Sequence, residues 1–80
     1  MNELEKVREF VARLKDAKIH YTLQSVREAL MVTVVSPSAY YEVEFFGDGH
    51  IEVQTWGPAH SVQRFSLDEV SGTIIRAVNG

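Results

Sequence analysis

The sequence predicts an α+β domain: a two-layer sandwich in which a four-stranded antiparallel meander sheet carries the N- and C-terminal helices on one face, in the order α-β-β-β-β-α. Three observations predict it. Both ends of the chain place apolar residues at helical spacing, the middle alternates apolar and polar residues with period two, and the breaks between these segments are short. Short connections favour antiparallel neighbours. Each helix has one apolar stripe and the strands share one strongly apolar face, so the two layers match. The expectation is a single domain over residues 1–80, close to the size at which one core suffices without metal or disulfide.

Helical spacing begins at Leu4 and runs through Val7, Val11 and Leu14, with Phe10 widening the stripe. Asn2 reads as the N-cap, and Glu5 three residues on completes a capping-box pattern. Glu5 near Arg8 and Glu9 near Arg13 make ion pairs at helical neighbour spacing on a solvated outer face. The helix closes near Lys18. Ile19, Tyr21 and Leu23 then alternate with His20, Thr22 and Gln24, which reads as a first strand, with Ser25 to Glu28 as its turn.

Ala29 to Val35 is a second strand, rich in β-branched residues and apolar on both sides, as suits the interior of a sheet. Ser36 to Ala39 forms a loop around Pro37. After the segment from Tyr40 to Trp56, Gly57 and Pro58 make another break. His60 to Phe65 stays open between a short edge strand and an irregular crossing. Ser66 followed by Glu69 is a second capping-box pattern, and Leu67, Val70, Ile74, Ile75 and Val78 form an apolar stripe ending at Asn79 and Gly80.

The segment from Tyr40 to Trp56, YYEVEFFGDGHIEVQTW, reads as one β-hairpin. A two-residue turn at Asp48 and Gly49 would set the apolar residues of one strand against the polar residues of the other. A three-residue loop of Gly47, Asp48 and Gly49 instead pairs Phe46 with His50, Phe45 with Ile51, Glu44 with Glu52, Val43 with Val53, Glu42 with Gln54 and Tyr40 with Trp56. Gly49 then occupies the left-handed closing position. One face of this hairpin is core. The other carries Glu42, Glu44, Glu52 and Gln54, with Tyr40 and Trp56 at one end and Phe46 and His50 at the other. Glu44 opposite Glu52 is mildly repulsive. With Met31 and Val35 from the second strand, this face makes an acidic centre ringed by apolar and aromatic groups, the kind of patch that marks an interaction surface.

A formal net charge of −3 argues against a nucleic-acid binder that works by bulk electrostatics. Cysteine is absent, which removes disulfides, thiolate metal sites and a cysteine nucleophile. The N-terminus shows no apolar run resembling a signal peptide, and no stretch is long enough to span a membrane, so a cytoplasmic protein is expected.

No enzyme is expected, and no metal or cofactor. His50 and Glu52, joined by His60 or Glu44, are the only metal-ligand combination worth testing, and no paired-ligand motif supports it. Glu44 and Glu52 would serve as a catalytic carboxylate pair only in a cleft. His60 beside Ser61 lacks the third group of a triad, and Gly47 with Gly49 precedes no helix start and so is not a phosphate loop.

At the hairpin, EVEFFGDGHIEV, Glu42 to Val53, resembles a recurrent pattern in small, largely uncharacterised bacterial α+β proteins, some of them immunity proteins that bind and neutralise a toxin. The resemblance spans Tyr40 to Trp56, about a fifth of the chain, and implies a protein partner without naming active-site residues. The expected partner-binding residues are Met31, Tyr40, Glu42, Glu44, Phe46, His50, Glu52, Gln54 and Trp56. The carboxylates would meet a basic surface, and Trp56, Tyr40 and Phe46 would be the desolvated anchors. The alternative is a homodimer of structural or regulatory role that closes the same face against a second copy.

Overall fold

A computed structural model describes residues 2–57 and 60–79. Helix α1, Glu3–Asp16, is followed by strands β1, Thr22–Val26, β2, Ala29–Val35, β3, Tyr40–Phe46, β4, Ile51–Trp56, and β5, Ser61–Phe65, and by helix α2, Leu67–Asn79. The strands form one antiparallel sheet in the order β1-β2-β3-β4-β5.

Helix α1 starts where its cap predicts. The Asn2 side chain accepts a hydrogen bond from the Glu5 backbone N–H at 2.8 Å, and the Glu5 carboxylate accepts one from the Asn2 N–H at 3.5 Å. Glu5 thus turns back to the cap, and no ion pair with Arg8 forms among the described residues. Glu9 does pair with Arg13, at 3.2 Å. The helix ends in a Schellman motif. The Ile19 N–H donates to the Leu14 carbonyl and the Lys18 N–H to the Lys15 carbonyl, with Lys18 left-handed at φ 60°.

That cap corrects the first predicted strand. Ile19 is buried, but its N–H serves the helix end, so the ladder begins only at Thr22, paired with Thr33. At the other end Ser25 and Val26 belong to the strand, and the turn shrinks to Arg27 and Glu28, with Arg27 left-handed at φ 49°. The sheet also has five strands where the sequence predicts four. Residues 61–65 conceal the fifth because Val62 and Phe65 lie three apart and therefore project from opposite faces of a strand. The free edge of β4, not an apolar pattern in β5, decides this pairing.

The hairpin has the predicted register throughout, from Tyr40 opposite Trp56 to Phe45 opposite Ile51. Its three-residue loop closes through the Gly49 N–H to the Phe46 carbonyl and the Phe46 N–H to the His50 carbonyl. Gly49 has φ 98°, as its position requires. The Lys6 ammonium donates to the Gly49 carbonyl and ties the loop to α1.

Both helices pack on one face of the sheet. Val7, Phe10 and Leu14 of α1 and Val70 and Ile74 of α2 join Val32, Val34, Val43, Phe45, Ile51 and Val53 in one core. Phe10 meets Phe45 with ring centroids 5.5 Å apart. The helices are clamped together by Arg13, whose guanidinium donates to Asp68 at 2.9 Å and to the buried Ser71 hydroxyl at 3.1 Å. The bond to Asp68 raises the Arg13 pKa. Helix α2 begins with the predicted reciprocal cap: the Glu69 N–H donates to the Ser66 hydroxyl and the Ser66 N–H to the Glu69 carboxylate. The predicted Pro58 break and Gly80 terminus lie outside the described residues.

Candidate functional site

Because helices cover one face only, every second strand residue is directed to an open face, and the register arranges those residues in four rows. The first, at the turn end, is Val26, Ala29, Phe46 and His50. The second is Gln24, Met31, Glu44, Glu52 and Arg64. Thr22, Thr33, Glu42, Gln54 and Val62 make the third, and Val35, Tyr40 and Trp56 with His60 the fourth. All nine predicted partner-binding residues lie on this face.

The acidic centre is internally solvated by its neighbours. Glu42 accepts one hydrogen bond from the Trp56 indole N–H and another from the Tyr40 hydroxyl, each at 3.2 Å. Desolvation, and then this bond to Glu42, hold the Tyr40 phenol above its ordinary pKa. Glu44 accepts from the Gln54 amide at 3.1 Å. Glu52 lies 3.0 Å from His50 Nε2 and 4.0 Å from the Arg64 guanidinium. The repulsion expected between Glu44 and Glu52 is therefore offset on the spot, each carboxylate having its own polar neighbour.

The two ends of the face differ. At the turn end His50 stacks on Phe46, centroids 4.2 Å apart, and its ring nitrogens face carboxylate oxygens of Asp48 and Glu52. The His50 backbone N–H, and then its ring, lower the Asp48 pKa. Beside them lies a recess of about 400 Å³ bounded by Arg27, Glu28, Glu44, Phe46 and Glu52. At the far end Trp56 stacks on His60 at 3.9 Å, and the His60 ring reaches the Gln54 side chain at 3.3 Å. Trp56 is 42% exposed and Val35 66%.

Met31 sits on the face but is only 7% exposed, flanked by Gln24 and Glu44, so it supports the surface without offering area to a partner. His50 and His60 stand in different rows at opposite ends of the face, so His60 does not join His50 and Glu52, whereas Glu44 lies directly opposite Glu52. Among the described residues no group of three His, Cys, Asp or Glu side chains converges to hold a metal. His60, Val62 and Arg64 belong to the face as well. The sequence did not reveal them because their placement follows from the pairing of β5.

No helix among the described residues is long and apolar enough to cross a membrane. Comparison with known proteins adds no neighbour: no family model matches the chain, and no curated protein or solved structure matches it at a significant level.

Proposed function

We propose that this chain is a small bacterial, cytoplasmic protein-interaction domain without enzymatic activity, and that the open sheet face receives a protein partner with a basic surface. Toxin neutralisation, as by an immunity protein, is the specific form of this reading. The observation that carries it is the exposed Trp56 and Val35 in one row with Tyr40, directly beside the Glu42 carboxylate. An exposed aromatic with a polar handle next to a fixed charge is the composition of an interface hot spot. The Glu42, Glu44 and Glu52 carboxylates would steer a cationic partner and suppress acidic ones.

Trp56 is the sole tryptophan, so its emission reports on this face alone. The test immobilises the chain, captures proteins at physiological salt, and repeats the capture with Trp56→Ala and with Glu42→Gln. The reading predicts a basic protein that is retained by the unsubstituted chain, released by salt and lost from both variants. Titrated in solution, that protein should shift Trp56 emission to the blue. Capture indifferent to both substitutions, or binding that leaves the emission unchanged, would place the partner elsewhere and defeat the reading.

A further inference from the structure

We infer that β1 is a self-pairing edge, through which two copies of the chain join antiparallel about a two-fold axis to make one continuous sheet. Strand β1 bonds to β2 on one side, and among the described residues nothing bonds to the other side. Its outer N–H and C=O groups are a template that another strand satisfies. Edges of folded proteins are ordinarily guarded by a charge, a proline, a bulge or a covering element. Thr22, Leu23, Gln24, Ser25 and Val26 contain neither charge nor proline, and four of the five are exposed. The opposite edge, β5, carries Arg64 and has α2 beside it.

The helix layer leaves β1 uncovered. Helix α1 packs over β2 and β3 and α2 beside β5, so β1 overhangs and Leu23, on the helix side of the sheet, is 51% exposed. Leu4, 56% exposed in the first turn of α1, faces a recess of about 450 Å³ that also takes in Ser25 and Leu30, with Glu3, Arg27 and Glu28 at its polar side. Apolar surface and unpaired backbone thus coincide along one edge.

The uncharged sequence of β1, which matches itself in antiparallel register, selects a second copy as the occupant. The chain carries a formal charge of −3, and stacking two open faces would oppose their glutamates. The β1 edge is neutral and self-complementary. With Gln24 on the axis, Leu23 of each copy falls opposite Ser25 of the other and Thr22 opposite Val26, all without like-charge contact. Such a dimer leaves both open faces in one plane and free for partners. It is a small interface, so a concentration-dependent equilibrium is expected rather than a permanent dimer.

Sedimentation equilibrium together with Trp56 fluorescence over a dilution series tests this. The expected result is a mass that doubles with concentration while the emission maximum stays fixed, and outward β1 amides whose hydrogen exchange slows as the dimer forms. Leu23→Lys and, separately, Gln24→Lys should return the monomer at all concentrations, each with a cooperative melt showing that the domain is folded. A monomer up to about 1 mM overturns the inference. So does a dimer that survives both lysines, or one that shifts Trp56 emission and is lost in Trp56→Ala.

Discussion

The two faces of the sheet come from the same strands, alternating residue by residue, yet they are held by different physics. On the helix side Val32, Val43 and Phe45 have no exposed surface, and burial contributes about 1.5–3 kcal/mol for each such side chain. On the open side the groups in register with their neighbours are Glu42, Glu44 and Glu52, each held by hydrogen bonds or ion pairs within reach of water. Such contacts contribute little net stability. The open face is thus organised rather than stabilising: its side chains hold positions that the fold does not need.

Substitutions on the helix side should break the domain. Phe45→Ala removes a ring in contact with Phe10 and should cost about 3–5 kcal/mol, a large fraction of the marginal stability of a small domain. Urea denaturation reads this directly, and a loss below 1 kcal/mol would mean that the two layers are not packed as described. Asn2→Ala should lower stability by about 1 kcal/mol through the lost helix cap, a fall in Tm of about 4–8 °C.

Two left-handed positions sharpen the contrast from the opposite direction. Lys18 and Arg27 each hold a positive φ without being glycine. Lys18→Gly and Arg27→Gly should each raise stability by about 0.5–1 kcal/mol, the relief of the strained backbone less the added entropy of glycine in the unfolded chain. Thermal melts of the two variants check it, and a lower Tm in either would show that the lost side chain matters more than the backbone.

On the open face Glu52→Gln should change stability by no more than about 0.5 kcal/mol, since His50 and Arg64 offset what Glu44 opposes. Binding of a basic partner should nonetheless weaken and lose part of its salt dependence. A large drop in Tm would make this carboxylate structural and erase the distinction between the faces.

The smallest effect is with pH. Asp48 and Glu69 have pKa values lowered in the folded chain, the first mainly by the His50 backbone N–H and the second mainly by that of Ser66. The unfolded chain therefore binds more protons, so their contribution is complete above the ordinary carboxylate pKa of about 4 and disappears as pH falls through the lowered values. Asp48→Asn combined with Glu69→Gln should flatten the acid limb of Tm against pH. An unchanged limb would assign acid sensitivity to other carboxylates.

Much of this was legible in the residues. Both capping boxes, the three-residue loop with its left-handed glycine, and the complete register of β3 with β4 follow from local chemistry and from period-two alternation, because a one-residue slip would turn the apolar set to water. The polar face of the hairpin was legible for the same reason. Its hydrogen bonds were not, since whether Glu42 reaches Trp56 or Tyr40 depends on rotamers that alternation does not specify.

The two amphipathic helices, the hairpin and which side of it is core are all specified by side chains a few residues apart. The rest depends on how the folded segments meet. The Schellman cap took Ile19 out of the first strand, the open edge of β4 drew residues 61–65 into a fifth, and the placement of α1 over β2 and β3 left β1 and Leu23 uncovered. The cap closes on a left-handed lysine where the pattern calls for glycine, so no residue type announces it, and the other two depend on segments far apart in the chain meeting, through the backbone ladder of β4 with β5 and through packing of α1 on the sheet.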